Sequence, residues 1–247
     1  MTDDLDTGID VVTSEPTRKM GFTVLLLECF AGLVAIAIVV ALFMPAVRRA
    51  GPAARSSQCK NNLKQIGLAL HNYREFYKAF PPAYTVDAKG NPLHSWRTLI
   101  LPYLDHATLY GTIDLSKPWN DPANAHAYET LQVPRCPEAT CAMNYTTYLA
   151  VVTPKSCFRP KESARFSEIT DGLSNTLSVI EVDLEHAVHW MSPLDADEQM
   201  VLAIGIDSKT PHSSGMHGLF LDGTPRLIQV KMAHEERLAL ISIAGKD

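Results

Sequence analysis

One stretch constrains this chain more than any other: the apolar run from Phe22 to Met44, 23 residues with a single charge at Glu28. A hydrocarbon core about 30 Å thick is crossed by about 20 apolar residues at ~1.5 Å rise each, so the run is long enough to span a bilayer. It is too long for the apolar core of a cleaved secretory signal, usually about 7–15 residues. The competing reading is a buried core helix, but few such helices are apolar on every face. The run therefore predicts a single-pass transmembrane helix over 22–47. It divides the chain into a leader at 1–21, that helix, and a domain at 48–247.

The leader carries Asp3, Asp4, Asp6, Asp10 and Glu15 without a base before Arg18, which predicts disorder. Pro45 predicts a kink at the membrane exit, and Gly51-Pro52 a second loosening. Beyond them Leu63, Ile66, Leu70, Tyr73, Tyr77 and Phe80 recur every three or four residues. That spacing predicts an amphipathic helix whose apolar stripe packs on a sheet, ended by Pro81-Pro82. Residues 81–135 read as a long irregular connection with short helices. Within it Trp96 and Trp119 are expected in the core, and His94, His106 and His126 at the surface.

Strands follow. Residues 142–153 are rich in Tyr, Thr and Val, and Thr176–Val182 follows a turn at Asp171-Gly172. Gly218–Leu221 and Thr224–Val230 flank Asp222-Gly223, the signature of a hairpin with a two-residue turn. Pro225 marks an edge strand or a first strand position. A short helix is expected over 232–243. The fold class is α+β: a long N-terminal helix on a mostly antiparallel sheet. Net charge is −5 and no basic run exceeds two residues, so nothing predicts a nucleic-acid groove.

Several motifs fit one pattern. Arg18-Lys19-Met20-Gly21-Phe22 precedes the apolar run, and Ser57-Gln58-Cys59-Lys60-Asn61-Asn62-Leu63-Lys64-Gln65-Ile66-Gly67 follows it. Later come Ser95-Trp96-Arg97, Leu101-Pro102-Tyr103-Leu104, Ile169-Thr170-Asp171-Gly172 and His212, nine residues, Asp222-Gly223. Together these resemble a large bacterial family of pilin-like proteins of unknown function, with a prepilin-type N-terminal cleavage and methylation segment akin to type II secretion pseudopilins.

The resemblance implies cleavage between Gly21 and Phe22 and a pilin-like fold. It also implies an inner-membrane anchor with the C-terminal domain outside the cytoplasm, and no enzyme activity. Basic residues after the run, Arg48, Arg49, Arg55 and Lys60, would by themselves favour the opposite orientation. The implied partners are the membrane and, through the N-terminal helix, copies of this chain or other pilin-like subunits. The family carries an assembly glutamate at the fifth residue after cleavage; here Leu26 holds that place and Glu28 is seventh. A stand-alone anchored binding domain is therefore the alternative.

Of the five cysteines, Cys29 lies in the apolar run and is expected as inert packing. Cys59, Cys136, Cys141 and Cys157 allow three pairings. The resemblance implies Cys59–Cys136 with Cys141–Cys157. Cys136 and Cys141 are spaced unusually for zinc and lack a second close pair, so no metal centre is expected. His212, His217 and Asp222 invite a metal or acid/base reading, but His212 and Asp222 are read as structural, bonded to backbone groups at the loop–hairpin junction, with Gly223 at the turn. A calcium site using Asp207 and Asp222 is the candidate cofactor site, since some secretion pseudopilins bind calcium in this region. A surface hydrolase would need His212 and Asp222 beside a Ser or Cys nucleophile.

Overall fold

The computed structural model describes residues 21–130, 134–137, 139, 141–162, 164–203, 210, 212 and 215–245. The acidic leader through residue 20, and Asp207, lie outside the described residues. The chain divides into two compact units, Met1–Gly51 and Pro52–Asp247. Helix α1, Phe22–Tyr77, contributes to both.

In the first unit every described side chain from Val24 to Val40 is exposed. Leu27 is 70% exposed, Phe30 66% and Leu33 66%. Among the described residues, no helix is long and apolar enough to cross a membrane. The predicted span continues into residues 41–44, whose side chains lie outside that set. Helix α1 includes Pro45 and Gly51-Pro52 within its span.

In the second unit α1 buries Leu63, Ile66, Ala69 and Leu70, with Phe80 just beyond it. Tyr77 departs from the predicted stripe and is exposed, because the helix ends there. Lys78 takes φ 61, the left-handed value that closes a helix, and Pro81-Pro82 prevent resumption.

The connection after α1 holds an unpredicted hairpin, β1 (Tyr84–Val86) with β2 (Pro92–Ser95). Asp87 closes its turn by accepting from the backbone N–H of Lys89 and Asn91, each at 2.8 Å. Short helices follow: α2 (Trp96–Leu99), α3 (Ala107–Tyr110) and α4 (Ala125–Thr130). His94 is fully buried rather than at the surface, its Nε2 2.8 Å from the Lys117 carbonyl. Desolvation there holds its pKa below the ordinary histidine value.

The remaining elements are β3 (Tyr145–Thr146), β4 (Tyr148–Ala150), β5 (Leu177–Glu181), β6 (Val188–His189), α5 (Glu198–Leu202), β7 (Gly215–Phe220), β8 (Pro225–Gln229) and α6 (His234–Ile241). The main sheet runs β4-β5-β7-β8, antiparallel throughout, and β3 pairs with β6. The fold is α+β, as its sequence predicts.

Both faces of the sheet are covered. Tyr148, Ala150, Val179 and Leu219 pack with the α1 stripe. Leu149, Ile180, Met216 and Ile228 pack on the other side with Val201 of α5 and Ile241 of α6. That double burial explains why β5 and β7 are buried along their whole length. Gly67 lets α1 approach: a Cβ there would stand 3.1 Å from Leu219 and 3.2 Å from the Gly223 Cα.

The hairpin β7–β8 forms, but its turn is longer than two residues. Gly223 donates to the Phe220 carbonyl and Phe220 to the Thr224 carbonyl, with Gly223 at φ 82. This is a three-residue loop closed by a left-handed glycine, longer than the two-residue primed turns. Asp222 stabilises it by accepting from Thr224 N–H at 2.9 Å and Thr224 Oγ1 at 2.6 Å. Pro225 is the first residue of β8, the edge strand.

Arg97 ties the layers together. Its Nε donates to the Trp190 carbonyl, Nη1 to Asp195 and the Tyr148 carbonyl, and Nη2 to the Ser192 and Leu194 carbonyls. All five guanidinium N–H groups are used. Trp96, fully buried, donates to the same Asp195 oxygen at 3.0 Å.

Candidate functional site

Four side chains from distant parts of the second unit meet between α1 and the sheet: Cys59, Cys136, Glu181 and His212. One ligand atom from each lies within 4.8 Å of all the others. The first three are fully buried, and the His212 side chain is 10% exposed.

Local structure explains each position. Cys59 lies one turn before Leu63 and extends the buried stripe of α1. Cys136 sits on a segment pinned three times. Its N–H donates to Thr147 Oγ1 at 3.0 Å, Thr146 Oγ1 donates to the Pro134 carbonyl at 2.8 Å, and Asn62 Nδ2 donates to the Arg135 carbonyl at 3.0 Å. Glu181 follows Val179 by two residues, so it shares the face that packs on α1. It is paired across the sheet with Tyr148. The His212 carbonyl accepts from Gly215 N–H at 3.1 Å and Thr210 Oγ1 at 2.6 Å. Only glycine serves at 215, since φ is 150° and a Cβ would stand 2.1 Å from the Ile228 carbonyl oxygen.

The contacts centre on Glu181. His212 Nε2 and His217 Nδ1 each lie 3.1 Å from its Oε2, and the His217 backbone N–H donates to the same oxygen at 3.3 Å. Ser56 Oγ lies 3.4 Å from His217 Nε2. Glu181 Oε1 is buried without a hydrogen-bond partner. The two cysteine Sγ atoms are 3.2 Å apart. Burial opposes the Glu181 charge, yet hydrogen bonds from His212, His217 and Cys136 outweigh it and hold the carboxyl well below its usual range. His212 is raised to about 10, first by its hydrogen bond to Cys136 and then by Glu181. The Cys136 thiol is pushed up by its hydrogen bond with Cys59 and by burial.

A cleft of about 480 Å³ opens beside the cluster, lined among others by Gln58, Asn62, Pro134, Arg135 and Met143.

The predicted site residues separate into groups. Of the predicted pairings, the structure brings Cys59 and Cys136 together, Sγ to Sγ 3.2 Å, with no bond drawn between any two cysteines. Cys141 is partly exposed with Sγ 3.9 Å from the Tyr145 carbonyl, and Cys157 is buried in the core with Trp96 and Phe158. His212 and Asp222 serve different partners: the His212 ring meets Glu181 rather than backbone, while Asp222 holds the hairpin turn and pairs with Arg226 at 3.0 Å. A guanidinium on Asp222 leaves a poor calcium ligand there, and Asp207 lies outside the described residues. Gly21 and Glu28 are exposed in the first unit; the Phe22 side chain lies outside the described residues.

Sequence reasoning missed Glu181; His217, singled out with His212 and Asp222, is the second imidazole on its carboxylate. The available signal was a lone carboxylate inside the apolar strand Leu177–Val182. Nothing among curated proteins or solved structures matches the chain. Residues 48–156, which contribute Cys59, Arg97 and Cys136 but neither Glu181 nor His212, match the family described as Protein of unknown function (DUF1559).

Proposed function

We propose that the chain is a membrane-anchored, pseudopilin-like structural or interaction protein, held by its N-terminal helix with the Pro52–Asp247 unit outside the cytoplasm, and without a catalytic role. The observation that carries this reading is the apolar surface of α1 from Val24 to Val40, exposed around its whole circumference. A partner docking on one side would leave the other side wet, whereas lipid covers all sides at once. The unbroken apolar run to Met44 supplies the length. The prepilin-type motifs support the orientation.

Membrane fractionation tests it. The full chain should sediment with membranes, resist carbonate extraction and require detergent, and deletion of 22–44 should release it. A full-length chain recovered as a soluble monomer without detergent overturns the proposal.

The displaced glutamate favours a second reading, an anchored binding domain that does not polymerise. Glu28 follows Phe22 by six residues, so it points about 200° around the helix from a fifth-position carboxylate. Intact mass separates the two: an N-methylated Phe22 start supports subunit assembly, and a retained leader supports the stand-alone domain.

A further inference from the structure

We infer that Cys59, Cys136, Glu181 and His212 bind one divalent transition-metal ion of the zinc class, as a closed structural site inside the Pro52–Asp247 unit.

The donor set selects the ion. Two sulfurs, one imidazole nitrogen and one carboxylate oxygen form a borderline-soft set suited to zinc. Calcium and magnesium take all-oxygen shells and are excluded by the same atoms. The geometry is close to what zinc requires. Bonds of about 2.0–2.3 Å in a tetrahedron place the donors about 3.3–3.8 Å from one another. The four donors already lie within 4.8 Å. The sulfurs, at 3.2 Å, need to part by about half an ångström.

Glu181 distinguishes this site from a cysteine pair in a core. A disulfide needs no carboxylate beside it, and an isolated buried carboxylate is costly. Here the carboxylate is fully buried, with Oε2 held by His212 and His217, Oε1 without a hydrogen-bond partner, and one of its oxygens within 4.8 Å of both sulfurs. His217, backed by Ser56, supplies the outer layer that orients a ligating carboxylate. Four protein ligands fill a tetrahedral shell and leave no open position, so the ion is structural. It would join α1, the 134–137 segment, β5 and the segment before β7, four pieces spread from residue 59 to residue 212.

The test uses the full chain purified in detergent without chelator. Metal analysis should give one zinc per chain. Cys59 and Cys136 should resist a thiol reagent until a chelator is added, without need of reductant. Cys136→Ser and Glu181→Gln should lose the zinc, and His217→Gln should keep at least part of it. Should those variants fail to fold, titrating the chelated wild-type chain with Co²⁺ gives an independent readout: a thiolate-to-cobalt charge-transfer band and tetrahedral visible bands at one equivalent. A mass 2 Da low, with the two thiols released only by reductant and no bound metal, shows a Cys59–Cys136 disulfide and overturns the inference. So does a featureless cobalt titration, or zinc retained in full by a folded Cys136→Ser chain.

Discussion

Among the described residues of the Pro52–Asp247 unit two carboxylates are buried, and each keeps one oxygen without a partner: Glu181 Oε1 and Asp195 Oδ2. What surrounds them differs. Asp195 Oδ1 receives Arg97 at 2.6 Å, Ala150 N–H at 2.8 Å and Trp96 Nε1 at 3.0 Å. Arg97 carries a permanent charge and spends its other donors on carbonyls, so that network is neutralised by the chain itself. Around Glu181 stand two imidazoles and two thiols, groups whose charge depends on protons or on a bound ion. An orphan oxygen therefore does not by itself mark a ligand site. The company it keeps does.

The largest effect that tests this contrast is at Arg97. Arg97→Ala should destabilise the unit by about 3–5 kcal/mol, because it strands the Asp195 charge and four carbonyls. Chemical denaturation with chelator and with zinc should show the same loss. If zinc rescues it, the two networks are not separable.

Glu181→Gln comes next. In chelated protein it should cost about 1–3 kcal/mol, the penalty of leaving His217 and His212 facing a weaker acceptor. Unlike Arg97→Ala, it should abolish the upward shift in melting temperature that zinc gives the wild type. A persisting zinc shift would break the comparison.

Trp96→Phe removes one of three donors from Asp195 Oδ1 while keeping the aromatic contact with Phe158 at 5.4 Å. A loss of about 0.5–1.5 kcal/mol is expected, read from urea midpoints. A loss as large as that of Arg97→Ala would mean that the indole, not the guanidinium, holds this network.

The smallest effect belongs to an exposed control, Glu168 with Arg159 at 2.6 Å. The Arg165 backbone N–H and the Arg159 guanidinium hold the Glu168 carboxyl below its usual value of 4.5. The folded form thus binds the proton less tightly than the unfolded form. Its contribution is present above about pH 4.5 and is lost as pH falls through the lower folded value. Glu168→Gln should slightly flatten the acid limb of a stability–pH curve, and salt should shrink the difference. An effect rivalling Glu181→Gln would undo the ranking of buried over exposed pairs.

Much of the fold was legible locally. The spacing of Leu63, Ile66 and Leu70 gives the buried face of α1, and the all-apolar composition of Leu177–Ile180, broken by one hydroxyl, gives a strand covered on both sides. Asp222-Gly223 marks the hairpin, although its loop is longer than the pair suggests, with Phe220 and Thr224 bonded across it. The β1–β2 hairpin and the burial of His94 were not legible, because neither shows an apolar period. Arg97 stood in a recognised motif, yet its partners come from residues 148 and 190–195.

Sequence alone determined the apolar run, the stripe that continues it, the strand-forming segments and their α+β class. These follow from side-chain period and backbone preference over a few residues, and need no knowledge of distant neighbours. Tertiary structure alone decided that Glu181 faces Cys59 and Cys136, and that His212 joins them instead of Asp222. Which face of β5 turns toward α1 is set by sheet register and by packing on residues more than a hundred positions earlier, and the 134–137 segment is pinned by Asn62, Thr146 and Thr147.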